Sequence, residues 1–578
     1  MYSDNKLIVQ IVALLKEHNI NQVVISSGTR HFPFIHSLEN DNFFKLYSVV
    51  DERSAAFFAL GLIQKTNEPV AIACTSGSAV LNYGSAVSEA YYQRLPLLLI
   101  TADRSPELLD QMEDQMINQK DVFKCIIKHN VCLPIIKSDT DEWYANRLIN
   151  EALIELYHHG KGPVQINYPI IEHNKDTFST VTLPNIRKIN LNTSEIDDNK
   201  WKEFSKKLEN KKIVIIWGQS VNITDNLNDL LSIFCKKYEA VILTDNLSNI
   251  HNDYAVRNAF IVLKALSLNE REKVFPDIVL YIGGNTVFNN EIKALLKLFP
   301  EKFEHWQVGP EDKIIDPFRR LTEVFEMSEK TFFNKITSID NNTHEPDKPY
   351  RKNWLDISRS IEEPTPPYSQ LFAIRELMKS ITKNSVLHLA NSNTIRMANM
   401  FEIDKTILCY CNRGVNGIDG SMSTAVGYAS NSDKLNFVII GDLSFFYDMN
   451  AIWNKHLSSN LRILLVNNEG GSVIHSPFNI NIRSILPNYT SAGHNTSPKG
   501  WVESRGFKYI SANNENDVKK GINILTSKEE NGPIILEVFT DKDKDVDVFL
   551  KYQQEINRIT FSERLERKTK AIINKFLK

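Results

Sequence analysis

A chain of 578 residues, 42% of them apolar and 24% charged, holds material for about three or four globular domains. A formal net charge of −3 gives no electrostatic basis for binding nucleic acid, and six cysteines in so long a chain exclude a disulfide framework, so a reduced cytoplasmic protein is expected. No apolar run approaches the about 18 residues of a membrane span, and the start at Met1-Tyr-Ser-Asp-Asn-Lys6 lacks the pattern of a signal peptide.

Residues 1–178 alternate helix and strand. Leu7 to His18 is amphipathic. Gln22–Ile25, Val70–Cys74 and Leu97–Ile100 are apolar runs that read as strands. Each runs into a small polar turn: Ser26-Ser-Gly-Thr-Arg30, Thr75-Ser-Gly-Ser78 and Thr101-Ala-Asp-Arg104. Such turns are where parallel sheets carry sites, and equally where Ser, Thr and Asp cap helices. A polar linker and entry helix follow over about 176–210. A second α/β unit within 190–340 has strands at Ile213–Trp217, Ala240–Leu243 and Ile278–Ile282, the last running into Gly283-Gly284-Asn285. Residues 339–368, rich in Asn, Asp and Pro, form a second linker. The third unit, 365–578, has strands at Val386–Leu389, Ile407–Tyr410, Phe437–Ile440, Leu461–Val466 and Ile534–Val538. Its Cys409-x-Cys411 is no zinc pattern, and Asn557–Lys578 reads as a solvated helical tail.

The strand Phe437–Ile440 leads into Gly441-Asp442, a predicted helix spans Tyr447 to His456, and the next strand leads into Asn467-Asn468-Glu469-Gly470. Asp442 and Asn468 thus fall on neighbouring strand ends, where open α/β sheets bind ligands. Gly441 lets the backbone approach a ligand closely. A carboxylate, an amide oxygen and a backbone carbonyl are hard ligands suited to Mg²⁺, with Mn²⁺ as an alternative, in a shell shared with phosphate oxygens.

This pairing resembles the signature of the thiamine-diphosphate-dependent enzymes. Asp51–Gly61, Thr101–Leu108, Asn412–Gly420 and Gly441–Asn450 extend the resemblance over essentially the whole chain, toward the 2-succinyl-5-enolpyruvyl-6-hydroxy-3-cyclohexene-1-carboxylate synthases of menaquinone biosynthesis. The resemblance implies three doubly wound parallel α/β domains: pyrimidine-binding over 1–178, central over 190–340, and diphosphate- and metal-binding over 365–578. It implies thiamine diphosphate with Mg²⁺ held by Asp442, Asn468 and the Gly470 carbonyl, with Gly441, Ser444, Ser392 and Arg413 also at the cofactor. Ile418 matches the apolar residue beneath it. Glu52 matches the carboxylate that activates the cofactor. Read from the residues alone, Glu52 between Asp51 and Arg53 is a surface ion pair.

The same resemblance implies decarboxylation of 2-oxoglutarate and transfer of the succinyl-semialdehyde carbanion to isochorismate. Ser392, Arg396 and Arg413 match positions that hold the donor; either arginine read alone is also a structural ion pair. Thr29, Arg30, Arg104, Asp114 and Gln115 fall on the acceptor side. Arg396, Arg413 and Gln115 join Glu52 as catalytic candidates. Five positions depart from the pattern: Asp114 replaces Asn, Asn290 replaces Lys, Val473-Ile474 replaces Ile-Phe, and Ser27 replaces Pro. A carboxylate about 4 Å from one of the acceptor's own would cost roughly 4 kcal/mol at an effective dielectric of about 20. Asp114 must therefore face away or be protonated, or the acceptor differs. The alternatives are the same donor with another acceptor, or a non-catalytic cofactor-binding paralogue. Cofactor sites between subunits imply a homodimer or homotetramer.

Overall fold

The computed structural model describes residues 1–171, 177–189, 197–221, 223–310, 315–339, 349–474 and 488–556. The proposed tail Asn557–Lys578 and the side chain of Ile474 lie outside the described residues.

Among the described residues, eighteen strands form three six-stranded sheets, and every strand pair within them is parallel. The first contains β1 (Gln22–Ile25), β2 (Lys45–Ser48), β3 (Val70–Cys74), β4 (Leu97–Asp103), β5 (His129–Cys132) and β6 (Val164–Pro169), in the order β2-β1-β3-β4-β6-β5. The second contains β7 (Ile213–Trp217), β8 (Val241–Thr244), β9 (Ala255–Val256), β10 (Ile278–Ile282), β11 (Glu304–Gly309) and β12 (Leu321–Glu326), ordered β12-β11-β10-β7-β8-β9. The third contains β13 (Val386–Leu389), β14 (Leu408–Cys411), β15 (Asn436–Gly441), β16 (Leu461–Asn467), β17 (Lys508–Ala512) and β18 (Ile534–Phe539), ordered β14-β13-β15-β16-β18-β17. The first and third sheets share one topology. The second has the other doubly wound order, with its reversal between β7 and β10. Inner strands such as β3, β7 and β16 are buried along their whole length because helices cover both faces.

The domains are joined by shared apolar cores. One cluster runs from Val24, Phe57 and Ile72 of the first sheet's layers to Val426, Ile440 and Ile463 of the third. Another runs from Val214 and Val279 to Leu387 and Ile439. The first junction is glycine-dependent. Helix Glu52–Thr66 crosses helix Ser421–Ala429 so closely that a Cβ on Gly61 would lie 2.0 Å from the Thr424 carbonyl oxygen, and one on Gly427 would lie 2.1 Å from that of Phe58. Any side chain at either glycine would drive the two helices apart.

Three local expectations change. The turn after Leu97–Ile100 is mostly strand: β4 continues through Asp103, pairing with β6, and Thr101 donates to Asn167 Oδ1 at 2.8 Å. The helix expected over Tyr447–His456 instead begins at Asp442 and ends at Tyr447, followed by a short 3₁₀ turn at Met449–Ile452. Gly441, extended at φ −84°, is its cap, so Asp442 is the first helical residue rather than a loop residue.

Candidate active site

At the β15 end, Asp442 is 3% exposed and its carboxylate gathers the next strand's loop. Oδ2 accepts the N–H of Asn468 at 3.2 Å and of Gly470 at 3.0 Å, and Oδ1 accepts that of Leu443 at 2.6 Å. Burial pushes this carboxyl up, and those N–H groups and His494 act against the rise. The imidazole Nε2 of His494 stands 3.2 Å from Oδ2 without hydrogen-bond alignment. Gly470 has φ +143°, and a Cβ there would lie 2.7 Å from the Ser491 carbonyl oxygen, so this position requires glycine. Asn468 donates Nδ2–H to Asp545 Oδ2 at 2.9 Å. Ser444 donates to the Ile418 carbonyl at 2.6 Å, tying the first helical turn to the loop that presents Ile418.

These residues fit a metal–diphosphate group. A Cβ on Gly441 would meet nothing within 4 Å, so open space lies before the strand end. The donor set is an acid, an amide oxygen and a carbonyl. Among the described residues no group of three or more His, Cys, Asp or Glu is placed to hold a metal ion.

Glu52 opens the helix Glu52–Thr66, which is capped by Asp51 accepting the Ser54 N–H at 3.0 Å. It forms no ion pair with a described residue. Asn82 donates to its Oε2 at 3.0 Å, while Asp51 accepts from Asn450 at 2.8 Å and Arg53 donates to the Tyr447 carbonyl at 2.8 Å. The surface-pair alternative for Glu52 is thus not what the side chains do. Among the described residues, no hydrogen bond or ion pair joins Glu52 to Asp442 or its partners.

On the β13 side, Ser392 takes φ +77° and its carbonyl accepts from Arg396 Nη1 at 3.0 Å. Arg413 reaches Asn391 Oδ1 at 3.4 Å, and its buried Nε has no partner. Neither arginine forms an ion pair with a described residue. Burial lowers the Arg396 pKa, and the nearby Arg413 charge lowers it further against the pull of Glu291. Two guanidinium groups that repel each other, one with an orphaned N–H, form a site that an anion relieves.

The first domain gathers a second basic pair. Arg30, 4% exposed, donates Nε–H to Ser76 Oγ at 2.9 Å, and Ser76 donates to the Gln115 carbonyl at 3.0 Å. Burial and the neighbouring Arg104 lower the Arg30 pKa. Arg104 donates to the Asp114 carbonyl and to Glu113 Oε2, at 2.8 and 2.9 Å. Thr29 lies beside Arg30, its carbonyl accepting from the Phe32 N–H at 3.2 Å. The exposed Asp114 offers its backbone, not its side chain, to this cluster. Asn290 is exposed in helix Asn289–Leu296 and makes no hydrogen bond to this cluster among the described residues.

Two contributors have no local signal in the sequence: Asn82 and Asp545. Their bonds to Glu52 and Asn468 span 30 and 77 residues. Only the folded sheets bring them together.

Residues 6–122 match the family model described as "Thiamine pyrophosphate enzyme, N-terminal TPP binding domain". A protein of Bacteroides fragilis named 2-succinyl-5-enolpyruvyl-6-hydroxy-3-cyclohexene-1-carboxylate synthase is 41% identical over 570 residues, covering 96% of this chain and all of that protein. The chain belongs to that synthase family. Synthases of Phocaeicola vulgatus and Christiangramia forsetii, at 41% and 34% identity, cover 96% and 95% of this chain and 98% and 99% of their own length. Membership in the thiamine-diphosphate synthase family thus extends from the first sheet, with Glu52 and Arg30, to the third, with Asp442 and Asn468.

Proposed function

We propose that this protein is a thiamine-diphosphate-dependent transferase of menaquinone biosynthesis, which decarboxylates 2-oxoglutarate and joins the remaining four-carbon unit to isochorismate. The observation that carries the donor assignment is the pair Arg396 and Arg413, two cations that make no contact ion pair with a described carboxylate, beside the Asp442 cluster's sheet end. A dicarboxylic 2-oxo acid supplies the missing anion at its distal end.

When bound, thiamine diphosphate would supply a carbon nucleophile for the 2-oxo group and, in its cationic ring, the sink for the electron pair left as carbon dioxide departs. Asp442, Asn468 and the Gly470 carbonyl would hold Mg²⁺, or Mn²⁺, against the diphosphate; Gly441 leaves room for it, and Ser444 braces the Ile418 loop beneath. Glu52 carries the proton-handling carboxylate. Arg396, Arg413 and Ser392 orient the donor. Arg30, Arg104, Thr29 and Gln115 hold the acceptor's carboxylates.

Glu52 and Asp442 share no described contact within one chain, which supports a site built across two copies. Large apolar side chains flank both halves at the surface: Val50 and Leu81 near Glu52, and Val415 and Ile418 near Ser444, are 52%, 50%, 42% and 36% exposed. A homodimer, alone or paired as a tetramer, would cover them. Among the described residues no helix is long and apolar enough to cross a membrane, and a cytoplasmic location fits this biosynthetic role.

The test is carbon dioxide release from 2-oxoglutarate by protein loaded with thiamine diphosphate and Mg²⁺, followed by product formation with isochorismate. Release with no product on adding isochorismate would reassign the acceptor. No release despite cofactor binding would overturn the enzymatic reading.

A further inference from the structure

Arg413 grows from a segment gripped by all three domains. Within its own domain, Asn391 donates to the carbonyls of Asn412 and Gly417, at 2.6 and 2.7 Å. From the second domain, Gln219 donates to the Cys411 carbonyl at 2.6 Å and Asn285 to the Arg413 carbonyl at 2.8 Å. The first domain contributes helix Gly84–Gln93. Its Gln93 donates to the Cys411 carbonyl at 3.1 Å, and its Glu89 accepts the N–H of Gly414 on Oε1 at 2.9 Å and that of Val415 on Oε2 at 3.0 Å.

Glu89 is 1% exposed and has no cationic partner among the described residues. A buried carboxylate without a counter-ion is costly unless N–H donors satisfy it. Here the donors are the Gln93 amide and two backbone N–H groups immediately after Arg413. The segment also passes tightly over the helix: a Cβ on Gly414 would lie 2.8 Å from the Glu89 carbonyl oxygen and 3.0 Å from the Tyr92 Cβ. Among the described residues the Arg413 side chain has one hydrogen bond, at 3.4 Å, and an unpartnered buried Nε. Where its guanidinium points is therefore set by the backbone it leaves.

We propose that Glu89 is a positioning residue for donor recognition: by holding the N–H groups of Gly414 and Val415, it fixes the backbone from which Arg413 meets the donor's distal carboxylate. This rests on the reading of Arg413 given above. It places part of the selectivity for a dicarboxylic donor on a first-domain side chain that touches no substrate.

In Glu89→Gln an amide N–H replaces one acceptor and faces a backbone N–H, so one grip is lost while shape is kept. Gly414→Ala disturbs the same segment from the opposite side. Carbon dioxide release is measured with 2-oxoglutarate and with 2-oxobutyrate, which lacks the distal carboxylate. Calorimetric thiamine diphosphate binding checks that the site is intact. Each variant should raise the KM for 2-oxoglutarate about tenfold, with kcat, 2-oxobutyrate turnover and cofactor affinity within about threefold of the parent. Arg413→Ala should raise that KM further, and adding Glu89→Gln to it should change it by less than about threefold, because both act through one contact. If Glu89→Gln loses cofactor binding, Gly414→Ala decides. The proposal is overturned if Arg413→Ala raises the KM and neither Glu89→Gln nor Gly414→Ala does, if both donors suffer equally, or if the double variant shows the product of the single effects. An unchanged KM in Arg413→Ala overturns the donor-site reading itself, and the role of Glu89 with it.

Discussion

Asn468 donates its Nδ2–H to Asp545 Oδ2, while its backbone N–H is held by Asp442 Oδ2, and the first bond decides which end of the amide is left free. Asp545 sits near the start of helix Lys542–Glu555, where its oxygens also accept from the Gln370 N–H at 2.7 Å and the Thr540 hydroxyl at 2.7 Å. With the amide nitrogen committed, the Asn468 oxygen is the end left to meet a cation. Asp545→Asn can present either a donor or an acceptor to Asn468, so it loosens that choice without changing volume. The expected result is Mn²⁺ binding, read by electron paramagnetic resonance with thiamine diphosphate present, weakened about 10- to 100-fold. Unchanged affinity would mean that Asn468 is not a ligand.

No hydrogen bond or ion pair among the described residues joins Glu52 to Asp442, and the proposed site takes the two groups from two copies of the chain. Mixing subunits of Glu52→Gln and Asp442→Ala, each inactive alone, gives hybrids with one doubly damaged site and one intact site. Activity should return to about a quarter of the parent's at statistical exchange. No recovery in hybrids isolated by paired affinity tags would place both groups of a site in one chain.

Asp114 concerns the acceptor. Arg104 engages its carbonyl while its carboxylate is exposed and makes no hydrogen bond or ion pair with a described residue. Its charge is therefore screened by water and contributes little at the Arg30–Arg104 pair. Asp114→Asn should leave the KM for isochorismate within about threefold. A tenfold improvement would show that the carboxylate turns inward when the acceptor binds.

Most inner strands and the Asp442 and Asn468 ends were legible because burial on both faces leaves continuous apolar runs such as Leu461–Val466, but inner β6 and β11, interrupted by Gln165, Asn167, His305 and Gln307, were not. Among the edge strands also missed, β2 reads Lys-Leu-Tyr-Ser, β9 has two residues, and β17 begins at Lys508 with its side chains partly open. Such strands carry polar residues because one side meets water, which erases the signal. The helix start at Asp442 was missed because its cap is Gly441, with no side-chain cap to mark it. Glu89 reads as an ordinary helix acid in Ala-Val-Ser-Glu-Ala, and Asp545 is one of several acids in Asp-Lys-Asp-Lys-Asp. Only partners 325 and 77 residues distant give them their roles.

His388 carries a prediction about acid stability. It lies on β13, 4% exposed, with Nε2 3.3 Å from Asn436 Oδ1 and its ring between those of Tyr410 and Tyr428, at 6.0 and 5.1 Å. Burial lowers its pKa from 6.5 to about 4, against a small opposing pull from Asn436. The unfolded chain therefore takes up this proton near pH 6.5 while the folded chain resists it until about pH 4. Stability is lost as pH falls through that window, by about 3 kcal/mol for a full separation of the two values. His31, fully buried and also lowered to about 4, acts in the same direction. Asp448 and Asp245, raised by burial to about 7 and about 6, act oppositely, since their folded forms bind protons first. A difference between variant and parent isolates the histidine. His388→Phe removes one titrating group, so its thermal midpoint should rise relative to the parent's as pH is lowered from 6.5 to 4. Parallel pH profiles for the two proteins would mean that His388 accepts its proton in the folded state.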